Sequence, residues 1–378
     1  MILRAQYLKA IDKALERSPL TMLLGARQVG KSTLAKQVMK QVEAHYIDLE
    51  SPVSKRVLDQ PYSVLESMRG LVIIDEAQRS PELFPILRVL ADREDSPATF
   101  LLLGSASPEL TRQSNESLAG RVEMIEVRGL GIAEVGYDKR DELWYRGGFP
   151  RSFLAKNDED SMVWRTNFIS TFVARDLRSL GFGIAPTTIS RFWSMLSHYH
   201  GQVWNASEAG RTLDVSPRSA NTYLDALEQT YMVRRLQPWF ENVGKRLSKS
   251  PKIYFRDSGI FHWHQHIRSF SDLLVHPKLG ASWEGFVLEE VIAAFKEIEP
   301  YYYRVHSGAE LDLFFMYNGE RIGVEIKWQD APSMTKSMHV AAADLKLDKL
   351  YVIYPGDLRY RLDAITECVP FKNIGDLG

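Results

Sequence analysis

The sequence predicts a multidomain α/β protein: a parallel-sheet core, a helical middle and a second α/β region at the C-terminal end. Three observations carry this. Residues 1–135 alternate strand-sized apolar runs with helical patterns, as expected of a parallel sheet whose strands are buried on both faces. From about 136 to 200 the texture is helical, broken by Gly147-Gly148-Phe149-Pro150, and strand signals return around a helix at 282–296. The length, 378 residues, exceeds one domain at roughly 150 residues per domain.

Composition narrows the class. Apolar residues are 45% and charged residues 25%, which excludes wholesale disorder. Lys and Arg number 47 against 48 Asp and Glu, so no global positive field draws the chain to nucleic acid, and such binding needs a local patch. One cysteine, Cys368, excludes disulfide frameworks and Cys-based zinc sites and suits a reducing, cytoplasmic location. The N-terminus mixes charges with apolar residues from Arg4 onward, unlike a signal peptide, and the apolar runs are far below the ~20 residues that span a bilayer. A soluble protein is expected.

The expected strands of the first region are 21–24, 46–49, 71–74, 99–103 and 122–127. Gly25-Ala26-Arg27-Gln28-Val29-Gly30-Lys31-Ser32 follows the first and opens a helical stretch from Thr33, matching G-x-x-x-x-G-K-[ST] in full. Glycines there let backbone N–H groups close on phosphate oxygens at a helix N-terminus. Lys31 can neutralise β- and γ-phosphate charge, and Ser32 can ligate Mg²⁺. At the end of the third strand Asp75 can hold Mg²⁺ through water, while Glu76 can deprotonate the attacking water. Ser105 ends the fourth strand, where a polar group would touch the γ-phosphate. Arg112 and Arg121 follow, Arg121 being the better candidate for stabilising transition-state charge, in cis or from a neighbouring subunit.

These motifs, with Ile74 to Arg79, Leu118-Ala119-Gly120-Arg121 and Gly147 to Pro150, resemble the bacterial and archaeal AAA+ ATPases that carry a DUF4143 C-terminal region. The resemblance covers nearly the whole chain. It implies an AAA+-like P-loop core, a helical lid, a winged helix-turn-helix and a nuclease-like C-terminal fold.

In the middle region, Asn205 to Glu208 is a capping-box start and Ser216-Pro217 another. The helix from Pro217 gathers Ala220, Tyr223, Leu224 and Leu227 on one face and leaves Arg218, Ser219, Asn221 and Thr222 outward, as the second helix of a helix-turn-helix would. The hairpin-like stretch after it carries Lys245, Arg246, Lys249, Lys252 and Arg256, a basic wing suited to DNA phosphates. A lid or protein-docking role is the other reading. His262, His264 and His266 are expected to be a surface cluster.

Toward the C-terminus, the helix from Trp283 sets Glu284 within the apolar stripe of Val287, Leu288, Val291 and Phe295, with Glu289 pointing away and Glu290 at the edge. Asp312 and Glu325-Ile326-Lys327 lie on two strands expected to form a hairpin around Asn318-Gly319. Glu284, Asp312, Glu325 and Lys327 resemble the PD-(D/E)XK nuclease signature. That implies a candidate second Mg²⁺ site on Asp312 and Glu325, with Lys327 activating water. A scaffold whose charges are merely ion-paired is the other outcome.

The expected division is 1–135 ATPase core, 136–186 lid, 187–265 winged helix and 275–378 nuclease-like domain. The expected function is a DNA-associated ATPase that uses Mg-ATP, with ATP and Mg²⁺ as ligands, DNA as partner and a homo-oligomer as assembly. An ATP-dependent DNA endonuclease and a nucleotide-switched signalling or defence scaffold are the alternatives.

Overall fold

The computed structural model describes residues 2–94, 97–105, 116–240, 249–295, 297–306 and 308–378. The chain divides into two compact units: Met1–Leu130 with Ser170–Ile184 and Gln229–Tyr231, and Gly131–Ile169 with Ala185–Glu228 and Met232–Gly378. No helix among the described residues is long and apolar enough to cross a membrane.

The first unit is built on a parallel sheet of β1 (Leu20–Gly25), β2 (Ala44–Asp48), β3 (Gly70–Asp75), β4 (Ala98–Ser105) and β5 (Val122–Glu126). The spatial order among the described residues is β2-β3-β4-β1-β5. Every residue of β1 is buried and so are seven of the eight in β4, which is why these strands read as nearly unbroken apolar runs. Helix Leu83–Ala91 and its neighbours cover one face, burying Phe84, Leu87 and Leu90 against Leu20, Met22, Val72, Phe100 and Leu102. The order matters for the site. It inserts β4 between β1 and β3, and the register sets Gly25 beside Ser105 and Ile74 beside Leu102. The ends of all three strands therefore share one rim, where ligands of open α/β sheets bind.

The second unit holds a longer mixed sheet. Its strands are β6 (Gln202–Val203), β7 (Val233–Pro238), β8 (Lys252–Phe255), β9 (Tyr301–Arg304), β10 (Glu310–Tyr317), β11 (Glu320–Ile326), β12 (Lys349–Tyr354), β13 (Tyr360–Arg361) and β14 (Thr366–Pro370). They run β13-β14-β12-β11-β10-β9-β7-β8-β6. The hairpin expected around Asn318-Gly319 is present as antiparallel β10 and β11. Helices Pro186–Leu196, Ala206–Leu213 and Pro217–Gln229 precede the β7–β8 hairpin, with Asn205 capping the second through its side chain to the Ser207 and Glu208 amides.

The four-part division expected from the sequence is redrawn. β7 pairs with β9 in parallel, Gln237 beside Tyr301, so residues of 187–265 and of 275–378 belong to one sheet. An unpaired edge of β7 would leave backbone donors and acceptors open, and β9 closes it. Residues expected to form one lid are likewise split between the two units.

Helix Leu279–Phe295 is apolar nearly all round, and Trp283, Trp144, Phe286, Trp328 and Phe371 stack about it with centroids 5.0–6.2 Å apart. Its acids depart from expectation. Glu289 and Glu290 are buried: Glu289 accepts from Nε and Nη2 of Arg234 at 2.5 and 2.9 Å, and Glu290 accepts the Ile132 amide at 2.9 Å. The histidines depart too. His262 and His264 are core residues of helix Ser258–His264, His262 bonding the Tyr145 carbonyl and Ser282 Oγ, while His266 alone is exposed. Burial lowers both core imidazoles to about 3, so they are neutral at ordinary pH.

Candidate functional site

The loop after β1 closes on itself. Gly30 adopts φ 101° as it enters helix Lys31–Val38, a conformation suited to glycine. Gly25 is required for a different reason. A Cβ there would meet the Val127 carbonyl oxygen at 2.2 Å, because β5 exits directly against the loop. Lys31 is buried, and its ammonium donates to the Gly25 and Ala26 carbonyls at 2.8 and 2.9 Å. Burial lowers its pKa to about 8, with Glu76 and Asp75 pulling the other way. The phosphate-neutralising amine is thus stored inside the loop, partly desolvated and held by carbonyls.

At the end of β3, Asp75 is buried, its Oδ1 accepting the Glu76 amide at 2.9 Å and its Oδ2 the Tyr46 hydroxyl at 2.5 Å. Tyr46 lies on β2, next to β3, and escaped the sequence reading; its hydroxyl also interacts with Ser32. Tyr46 therefore anchors Asp75, one of the two residues expected to bind Mg²⁺, and lies near Ser32, the other. Glu76 sits in the left-handed region at φ 57°, a conformation non-glycine residues adopt mostly under local constraint, and accepts from Gln78. Burial raises its carboxyl pKa, with Lys31 opposing, so it is a stronger base than a surface glutamate. Ser105, buried, ends β4 between these groups.

Two arginines have partners on the same unit. Arg27, in the loop, pairs with buried Asp176 at 2.5 Å and reaches Glu50 at 3.8 Å. Asp176 ends a π-helical turn, 172–176, a distortion common at functional sites. Arg121 makes a two-pronged contact with Asp92 at 2.5 and 2.9 Å and is part exposed, so any role at a phosphate requires release from Asp92. Arg112 lies outside the described residues.

In the second unit Glu284, Asp312, Glu325 and Lys327 do come together, joined by groups the sequence reading left out. Lys327 donates to Glu325 Oε1 at 2.6 Å and the Ile326 amide to Asp312 Oδ2 at 2.9 Å. Tyr254 donates to Glu284 Oε1 at 2.5 Å, and the Lys252 ammonium contacts Glu284, Glu310 and Asp312. Burial, reinforced by Asp312, raises the carboxyl pKa of Glu284 and Glu325. A period-two signal pointed to the additions: Glu310 with Asp312, and Lys252 with Tyr254, alternate along their strands.

The expected basic wing is corrected in part. Lys252 is 1% exposed and ion-paired, so it cannot reach a DNA phosphate. Arg256 is held near Glu289 at 3.6 Å, and Arg235 by Asp225 and Glu228. Lys249 is exposed, as are Arg218 and Asn221, although the Asn221 amide oxygen accepts from Trp204 at 2.9 Å. Lys245 and Arg246 lie outside the described residues.

Comparison with known proteins follows the same outline. A family model described as an AAA domain matches residues 17–136. Two described as domains of unknown function, DUF8612 and DUF4143, match 137–271 and 279–374. Uncharacterised proteins of Mycobacterium tuberculosis and Mycobacterium bovis are each 47% identical over 374 residues, which is 99% of this chain and 85% of theirs. Among solved structures, a Walker-type ATPase of Pyrococcus abyssi is similar with a TM-score of 0.49 and 15% identity, over 70% of this chain and 96% of its own.

Proposed function

This chain belongs to the family of AAA-domain proteins with a DUF4143 C-terminal region, and from that premise we propose that it is an Mg-ATP hydrolase that couples turnover to DNA binding. The observation that carries the ATPase reading is the convergence of Lys31, Ser32, Asp75, Glu76 and Ser105 at the ends of β1, β3 and β4 in one sheet. The donor set fits the ligand: the Ser32 hydroxyl and the Asp75 carboxylate, both beside Tyr46, suit a hard divalent ion, and a glycine-walled loop with a stored ammonium suits phosphate oxygens. When bound, Mg-ATP supplies the phosphoanhydride and the metal charge that offsets it.

The residues then divide the work. Lys31 leaves the Gly25 and Ala26 carbonyls for phosphate oxygens, exchanging two neutral acceptors for charged ones. Backbone amides of Ala26 to Thr33 line the phosphates. Ser32 and Asp75 would hold the metal, with Tyr46 orienting the Asp75 carboxylate. Glu76, made more basic by burial, takes the proton of the attacking water, and Ser105 positions the terminal phosphate. Arg121, once free of Asp92, adds charge stabilisation within or across subunits of a homo-oligomer.

For DNA, the supporting feature is the helix Pro217–Gln229, which exposes Arg218, Asn221 and Thr222 near its N-terminus, with exposed Lys249 just before β8; we read this helix as the second of a winged helix-turn-helix. Arg218 and Lys249 meet phosphates, and Asn221 lies beside them. The test is ATP turnover with and without duplex, single-stranded and branched DNA. Stimulation by at least one form, weakened in Arg218→Ala/Lys249→Ala, is expected. Unchanged turnover together with no DNA binding at low salt would refute the DNA coupling and favour a nucleotide-switched scaffold.

A further inference from the structure

The acid cluster of the second unit already contains a cation. Lys252 enters it from β8, where its backbone is pinned between Leu236 of β7 and Val203 of β6. Its ammonium contacts Glu310 of β10 most closely, Glu284 of the helix at 3.4 Å and Asp312 of β10 at 3.7 Å. Tyr254, two residues along the same strand, donates to Glu284. At 1% exposure, an ammonium survives only if its charge is matched, and three carboxylates match it.

A nuclease-type centre would instead need Asp312, Glu325 and Glu284 to turn oxygens toward a common divalent ion. At least one oxygen of each is otherwise engaged. Asp312 gives Oδ2 to the Ile326 amide and turns Oδ1 toward Lys252. Glu284 Oε1 takes Tyr254 and Lys252, and Glu325 Oε1 takes Lys327. Among the described residues no three His, Cys, Asp or Glu side chains converge closely enough to hold a metal. A divalent ion would also lie against the Lys252 ammonium, which is buried among these acids. The donor set does not fit the metal.

We infer that Lys252 is the resident cation of this nuclease-like centre: its ammonium stands where a divalent ion would be needed, and the cluster binds strand β8 to the acids of β10 and the helix instead of cutting phosphodiesters. Arg304 supports the arrangement from the outer side, 3.4 Å from Glu310. The second oxygen of Glu325 has no hydrogen-bond donor among the described residues.

The experiment counts Mn²⁺ bound to the full chain by electron paramagnetic resonance, without nucleotide and without turnover, so its outcome is independent of the ATPase reading. Asp312→Asn keeps the acceptor for the Ile326 amide and removes the charge. Wild type and Asp312→Asn are expected to bind the same number of ions. Loss of one equivalent in Asp312→Asn would overturn the inference. Lys252→Met should gain one equivalent, which adding Asp312→Asn abolishes; a folded Lys252→Met without that gain would also overturn it. If Lys252→Met is too unstable to count, Lys252→Met/Glu310→Gln should melt closer to wild type than the single variant. A lower melting temperature than the single variant would refute the pairing.

Discussion

Raising the pH from 7 to 9 should weaken ATP binding, and the size follows from where Lys31 is kept. Its ammonium lies buried against two backbone carbonyls, and desolvation brings its pKa to about 8. Bound phosphate stabilises the charged form, so the pKa of Lys31 rises in the complex. Only the protonated amine is ready to bind. Below pH 8 it is mostly present and affinity is flat; above pH 8 each further pH unit removes about tenfold, or about 1.4 kcal/mol, until the higher pKa of the complex is reached. Between pH 7 and 9 the net loss is about tenfold. With Mg²⁺ present the γ-phosphate of ATP is already ionised over this range and contributes no slope. The assay is fluorescence titration of an ATP analogue against Glu76→Gln, which removes both turnover and the neighbouring titrating carboxyl. ADP should show the same slope, and AMP, without a β-phosphate, should show none. An ATP affinity constant from pH 7 to 9.5 would refute the placement of Lys31 as a stored, desolvated phosphate ligand.

Glu76→Gln should keep ATP binding and lose turnover by at least about a hundredfold, the usual worth of a general base, while Lys31→Ala loses both. Wild-type turnover in Glu76→Gln, measured by phosphate release, would remove Glu76 from the water-activating role. Mixing inactive Arg121→Ala with inactive Lys31→Ala should restore turnover if Arg121 leaves Asp92 for a neighbouring subunit's site; no recovery in mixed oligomers shown by cross-linking would exclude the trans role. Glu289→Gln removes the charge that accepts from Nε and Nη2 of Arg234 and faces Arg256 while keeping the shape, so urea unfolding should show a loss of about 3–5 kcal/mol. A loss below about 1 kcal/mol would mean that other groups carry those guanidiniums.

The nucleotide site was legible because its chemistry is local. A loop from Gly25 to Ser32 needs glycines, a lysine and a hydroxyl at fixed spacing, and Asp75-Glu76 must follow an apolar strand; both constraints act along the chain and leave a pattern in it. The strands of the first unit were legible for the same reason, since a strand buried on both faces must be largely apolar, as β1 and β4 are. The acids Glu284, Asp312 and Glu325 with Lys327 were also legible as a set. Which partner each charge takes was not. Lys252 reads as one more basic residue of an exposed wing, yet strand β8 carries it into three carboxylates more than thirty residues away in sequence. Tyr46 reads as strand filling until β2 lies beside β3. Ion pairs and strand neighbours depend on distances across the fold, and Coulomb energy falls with separation in space, not in sequence. The sequence alone therefore determined what chemistry the chain can offer at its P-loop, and the tertiary structure alone decided that the best-marked cation of the wing is buried as the counter-charge of the acid cluster.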